Sequence, residues 1–262
     1  MPSEINNNII EELPKRFELR KTKYLPERVK ISPNITQSII VKEHLSICFA
    51  PADSNIVDSV SEALISAYDI AKNWFGINYE VPIQLWIAPE LIDMNYMLCN
   101  NCPNDLFCAP GKKNGYGIIA FQSPRTGKRN RIPERLKSLL GHEISHHMIL
   151  DISGATNLAM TRRINNDLPM WLEEGICQIV QADLNPQYKV LFNQQIEANQ
   201  IWYKQVDLWD DLSSCNDVPK AYLQGYRDAC RIINEYGKDR IISLLKQNKN
   251  KTIDWGIYQN NI

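Results

Sequence analysis

Two histidines with a glutamate between them form the stretch of the sequence best suited to chemistry. His142, Glu143 and His146 follow the order H-E-x-x-H, and the chain has only four histidines among 262 residues. Side chains four residues apart project from one face of a helix, so both imidazoles can bind one Zn²⁺ through nitrogen. Glu143 would lie beside that metal and take a proton from water. The spacing therefore predicts a catalytic zinc site.

A catalytic zinc needs a third protein ligand and one open coordination position. Glu174, in the stretch MWLEEG, is the candidate, because a carboxylate from a second helix can complete a His₂Glu ligand set. Glu173 and Glu174 could instead be solvated residues in the first turns of a helix, and charge alone does not decide which faces inward. Gln178 shares the face of Glu174 and could orient a zinc-bound histidine, or be a plain polar helix residue. His147 points about 100° away from His146 and is not predicted to be a ligand.

HEISH followed by PMWLEEG resembles the zinc motifs of the gluzincin metallopeptidases, especially the peptidase-MA-like group with H-E-x-x-H and W-L-x-E-G. In that pattern the glutamate before the glycine is the third zinc ligand, which corresponds to Glu174, and Glu173 takes the variable position. The resemblance covers roughly residues 40 to 247. It implies a thermolysin-like α+β catalytic domain, with an N-terminal mixed-sheet lobe and a C-terminal α-helical lobe.

The resemblance also implies a tyrosine that stabilises an oxyanion. AYLQGYRDACRIINEYG resembles the segment that carries this residue, and Tyr222-Leu-Gln-Gly is similar to the Y-x-x-G of the aminopeptidase branch. A phenol can donate a hydrogen bond to the oxyanion of a tetrahedral intermediate. Tyr222 is the first candidate, Tyr226 one turn later is the second, and either could be a core tyrosine.

The resemblance implies that the strand GYGIIAF takes the place of the family's active-site strand. The backbone of four of its residues is predicted to pair with an extended substrate: Gly117, Ile118, Ile119 and Ala120. The strand lacks the acidic residue with which the aminopeptidase branch holds a free amine, and this disfavours strict aminopeptidase activity.

The remaining sequence supplies the elements that must position these residues. Strand patterns fall at 35–51, 81–89 and 115–124. Helix patterns fall at 55–75, from Pro133 to about Leu150, from Pro169 onward, and through most of the C-terminal third. This order predicts an α+β fold. We expect one catalytic domain in two lobes, 39–154 and 155–262, after an N-terminal extension over 1–38.

Composition narrows the classes of partner. The 29 basic and 30 acidic residues give a formal net charge of −1, which argues against a dedicated nucleic-acid or membrane-surface binder. The first residues lack the charged-then-apolar order of a signal peptide, so a cytoplasmic protein is expected. Seven cysteines, an odd number, favour reduced thiols.

Two further clusters are weaker signals. Cys99, Cys102 and Cys108 could bind a metal, but they supply three thiols only, and a loop without metal is favoured. The second cluster is a basic stretch that could steer acidic substrates, although a solvated loop is favoured. Its positively charged residues are Arg125, Lys128, Arg129, Arg131, Arg135 and Lys137.

These patterns together predict a zinc-dependent metallopeptidase that hydrolyses peptide bonds, with Glu143 as general base and a peptide or protein as substrate. Two alternatives stay open at this point. One is a non-catalytic zinc-binding or regulatory protein of the same fold, and the other is a zinc hydrolase acting on a non-peptide amide.

Overall fold

A computed structural model describes seven parts of the chain: residues 30–97, 107–127, 133–154, 168–199, 201–208, 212 and 215–250. The strands in these parts are β1 (Gln37–Lys42), β2 (Leu45–Phe49), β3 (Ile83–Ala88), β4 (Phe107–Lys113) and β5 (Tyr116–Gln122). The α-helices are α1 (Val57–Phe75), α2 (Leu91–Met97), α3 (Pro133–Ser153), α4 (Met170–Leu184), α5 (Pro186–Ala198), α6 (Val218–Tyr236) and α7 (Lys238–Lys249). None of the described helices is long and apolar enough to cross a membrane.

The strands form one mixed sheet in the order β1-β2-β3-β5-β4. β2, β3 and β5 run parallel, while β1 and β4 pair antiparallel at the two ends. Helices follow the sheet in sequence, from α3 to α7. This mixed architecture is consistent with the α+β class that the element order predicted.

Alternation along the inner strands builds two separate apolar layers. Ile83, Leu85 and Ile87 of β3 point into the large core shared with the helices, together with Ile119 and Phe121 of β5. The residues between them face a smaller cluster on the other side of the sheet: Trp86, Ala88, Ile118 and Ala120. Both faces of the inner strands are therefore buried, as expected for parallel strands.

Two strand predictions were too coarse. The apolar run 35–51 is not one strand but the hairpin β1–β2, with Glu43 and His44 in the turn. The turn contains neither glycine nor proline, the usual turn signals, and it was therefore missed. β4 falls in the stretch that was predicted as loop, because its sequence, FCAPGKK, lacks alternating apolar residues.

Helices α4 and α6 approach each other closely at two glycines. A Cβ atom added to Gly175 would overlap the backbone carbonyl oxygen of Gly225. One added to Gly225 would lie 2.7 Å from the carbonyl oxygen of Trp171. Absence of both side chains lets the two helix backbones meet, and this fixes the position of α4.

Candidate metal centre

Helix α3 presents its two histidines on one face, as the sequence predicted. The imidazole centroids of His142 and His146 lie 5.1 Å apart. Both rings lie against α4, which packs along α3 close to Gly141, where a Cβ would overlap the side chain of Leu184. Glu143 is buried on the same turn of α3. The H-E-x-x-H residues are therefore enclosed between helices rather than exposed on a surface.

Glu174 lies opposite both imidazoles. Its Oε2 atom is 3.3 Å from Nε2 of His142 and 3.7 Å from Nε2 of His146. Donor atoms about 2.0–2.1 Å from a tetrahedral metal lie about 3.3 Å from one another. Oε2 of Glu174 thus lies at nearly this separation from each of the two nitrogens. The residues present fit a metal ion such as zinc, and Glu174 rather than Glu173 is the carboxylate that faces the two Nε2 atoms.

The other nitrogen of each histidine is held by α4. Nδ1 of His146 donates to Oε1 of Glu173 at 2.7 Å, and Nδ1 of His142 donates to Oε1 of Gln181 at 3.1 Å. With protons on both Nδ1 atoms, the lone pairs of the two Nε2 atoms could bind a metal ion placed between them and Glu174. Such hydrogen bonds orient metal-bound histidines and raise their basicity.

Sequence reasoning missed both of these acceptors. The sequence suggested Gln178 as a residue that orients a histidine, but Gln181 is the glutamine that contacts Nδ1 of His142. Gln178 is buried, and its Oε1 has no hydrogen-bond partner among the described residues. Helical spacing places Gln178 and Gln181 on neighbouring faces of α4, so sequence alone does not distinguish them.

The site is electrostatically negative and favours a cation. Burial by itself would lower the pKa of His146, but the thiol of Cys177 and the carboxylates of Glu174 and Glu143 outweigh burial and raise this pKa to about 10. A proton on the ring, or a metal in its place, offsets the buried negative charge.

Cys177 is a further potential ligand that sequence reasoning did not single out. One donor atom from each of His142, His146 and Cys177 lies within 4.8 Å of the others. Cys177 is fully buried on α4, and burial raises the pKa of its thiol to about 11, although His146 opposes that shift. The signal available in the sequence was its spacing of three residues from Glu174.

His147 points toward the sheet. Its Nε2 donates to the carbonyl oxygen of Ile118 at 2.9 Å. A Cβ on Gly117 would lie 2.6 Å from the imidazole ring, so the glycine makes room for His147. This contact anchors α3 beneath β5.

The strand predicted to pair with substrate is not available for that role. Gly117, Ile118, Ile119 and Ala120 lie in β5, whose backbone pairs with β3 on one side and with β4 on the other. A further chain cannot add to an interior strand, since its backbone donors and acceptors are already used. The last described strand on this side of the sheet is β4, which lies next to α3.

The two candidate tyrosines have different surroundings. Tyr226 is buried, with its ring centroid 4.9 Å from that of Phe192. Burial and the neighbouring thiol of Cys230 raise the pKa of Tyr226 well above its ordinary value. Tyr222 is half-buried on α6, one turn before Gly225, the residue that contacts α4. Tyr226 is thus committed to packing between α5 and α6, and Tyr222 remains the candidate for contact with substrate.

The weaker sequence signals fall mostly outside the described residues. The structure does not describe Cys99, Cys102, Lys128, Arg129 or Arg131. Arg125 is tied to the protein: its Nε lies 3.2 Å from Oδ1 of the buried Asp53.

Comparison with known proteins does not assign the chain to a family. No protein-family model matches the sequence, and no curated protein matches it.

Proposed function

We propose that the chain is a zinc-dependent metallopeptidase of gluzincin type with a thermolysin-like catalytic domain. The observation that carries the proposal is the convergence of three donor atoms, Nε2 of His142, Nε2 of His146 and Oε2 of Glu174. The resemblance of H-E-I-S-H and W-L-E-E-G to the gluzincin motifs implies the same ligand set. These ligands leave one coordination position for substrate or water.

A bound zinc ion would act as a Lewis acid, polarising the scissile carbonyl and lowering the pKa of a water molecule beside it. The carboxylate of Glu143 removes a proton from the attacking water and transfers it to the amine as the C–N bond breaks. The hydroxyl of Tyr222 donates a hydrogen bond to the oxyanion of the tetrahedral intermediate. Hydrolysis consumes one water and leaves a carboxylate and an amine.

The substrate is proposed to bind as an extended peptide along β4. This strand ends the described sheet and contacts α3, the helix that carries the H-E-x-x-H residues. Backbone hydrogen bonds to an edge strand bind peptides with little dependence on their side chains. Substrate pairing thus moves from β5, as first expected, to β4.

The test compares the parent chain with Glu143→Gln in metal content and in digestion of a peptide library. We expect one zinc per chain in both proteins and at least about a 100-fold lower rate of cleavage for the variant. Glu134→Gln, which changes an exposed glutamate in the first turn of the same helix, is the matched control.

Three outcomes would contradict the proposal. Cleavage by Glu143→Gln as fast as by the parent would exclude the mechanism. One zinc per chain with no cleavage by the parent would favour a non-catalytic zinc-binding protein. Cleavage of non-peptide amides alone would reassign the substrate class while keeping the site.

A further inference from the structure

Cys177 lies inside the candidate metal centre, on the helix that carries Glu174. Its side chain is fully buried. Its Sγ lies within 4.8 Å of a nitrogen of His142 and of a nitrogen of His146. The charged groups that act on this thiol are those of the site itself, His146, Glu174 and Glu143. Cys177 belongs to the large apolar core, but a cysteine that only fills a core has no such charged groups beside it.

Cys48 shows what such a core cysteine looks like in the same chain. It is buried on β2, in the small apolar cluster with Trp86 and Ile118. Among the described residues, His142, His146 and Cys177 form the group whose possible ligand atoms all lie within 4.8 Å of one another. Glu174 joins this group through its contacts with the two imidazoles. Cys177 and Cys48 are thus both buried in apolar clusters but differ in the donor atoms around them.

The distances agree with ligation. Zinc binds thiolate sulfur at about 2.3 Å and imidazole nitrogen at about 2.0–2.1 Å, so the sulfur and nitrogen of one tetrahedral site lie about 3.5 Å apart. Donor atoms within 4.8 Å can reach this separation by small rotations of the cysteine and histidine side chains.

We infer that the Sγ atom of Cys177 is a fourth protein ligand of the metal, beside His142, His146 and Glu174. This inference rests on the proposed metal centre. The thiol loses its proton to solvent as the sulfur–metal bond forms, and no electron is transferred. With Sγ bound, a metal ion could take water or substrate only if Sγ were displaced or a fifth ligand were accepted. The thiolate makes the site selective for thiophilic ions such as Zn²⁺, Co²⁺ and Cd²⁺ over Mg²⁺ and Mn²⁺.

The test is titration of the metal-free parent chain with Co²⁺, followed by absorption spectroscopy. Sulfur bound to Co²⁺ gives a thiolate-to-metal charge-transfer band in the near ultraviolet, whereas nitrogen and oxygen ligands give only the visible d–d bands. We expect both kinds of band at one Co²⁺ per chain. Cys177→Ser should lose the near-ultraviolet band and keep the visible bands, while Cys48→Ser should keep both.

Zinc affinity provides a second measurement, which does not depend on activity. Competition with a chromophoric chelator should show a zinc dissociation constant at least about tenfold higher for Cys177→Ser. This is the smallest effect expected even for loss of a residue that only supports a metal ligand. Cys48→Ser should bind zinc as the parent does. Cys177→Ala serves as a second variant if the serine hydroxyl perturbs the buried site.

Failure of this inference can be told apart from failure of the proposed function. Visible bands without a near-ultraviolet band in the parent would overturn ligation by Cys177 and leave the His142, His146 and Glu174 site intact. A near-ultraviolet band that persists in Cys177→Ser would assign the sulfur to another cysteine. A parent chain that binds no Co²⁺ and no Zn²⁺ would overturn both proposals.

Discussion

Glu173 and His146 form a buried hydrogen bond in which Nδ1 of the imidazole lies 2.7 Å from a carboxylate oxygen. The carboxylate fixes the tautomer of the ring and makes Nε2 a better donor to a metal. Glu173→Ala should weaken zinc binding by about 10- to 100-fold. Glu173→Gln should have a smaller effect, because its amide oxygen can still accept from Nδ1. Equal losses in the two variants would show that the carboxylate acts through its charge and not through orientation of the ring. Zinc affinity by chelator competition measures both, with the exposed Glu235→Gln as control.

Glu174 is predicted to be indispensable for the metal. Glu174→Ala should raise the zinc dissociation constant at least about 100-fold, because a ligand itself is lost and not an outer partner. Glu143→Gln is the matched control, since it changes a carboxylate of the same site that is not a ligand. Equilibrium dialysis followed by metal analysis measures this directly. Parent-like zinc binding by Glu174→Ala would identify Cys177 as the third ligand instead.

Gly175 should tolerate no side chain. Gly175→Ala places a methyl group against the backbone carbonyl of Gly225, which cannot rotate away, and we expect a loss of about 1–3 kcal/mol in the free energy of unfolding. Gly141→Ala is the control. Its methyl group meets the flexible end of Leu184, and alanine favours the helix by about 0.5–1 kcal/mol, so stability should stay within about 1 kcal/mol of the parent. Urea unfolding measures both, and similar losses would show that the α4–α6 contact is not tight.

Glu80 is predicted to contribute to the acid sensitivity of the fold. The hydrogen bond from Lys72, aided by one from the Tyr68 hydroxyl, lowers the pKa of Glu80. A carboxyl group with a lowered pKa stabilises the fold above its unfolded pKa, and the contribution is lost as the pH falls through its folded pKa. Glu80→Gln should therefore cost roughly 0.5 kcal/mol near neutral pH and nothing under strongly acidic conditions. Urea unfolding at about pH 7 and about pH 3 measures this, with Glu62→Gln, an exposed residue of α1, as control. An equal cost at both values of pH would contradict the prediction.

The sequence predicts the helices of the site well and the sheet less well. Periodic apolar residues and the punctuation by Pro133, Gly154 and Pro169 place α3 and the start of α4 within a few residues. The turn at Glu43–His44 was missed because it interrupts an apolar run without glycine or proline. The interior position of β5 depends on its pairing with β4, which was not predicted as a strand, and so β5 was given a role that its position does not allow.

Within the site, spacing along one helix predicted the H-E-x-x-H residues. The contacts between α3 and α4 could not be predicted from the sequence. His142, Glu143 and His146 follow from their spacing on one helix. The partners of their outer nitrogens, Glu173 and Gln181, depend on how α4 is rotated against α3, which is set by packing and not by local sequence. Cys177 was overlooked for the same reason.

Helix α4 carries four groups that face the two imidazoles: Glu173, Glu174, Cys177 and Gln181. A slip of this helix by one residue would shift it by about 1.5 Å and rotate it by about 100°, and would remove all four groups together. The four groups are therefore expected to reach or leave the two imidazoles together, because they move with one helix. A bound metal ion would link α3 and α4 directly. Its removal would therefore lower the free energy that holds α4 in its present register against α3.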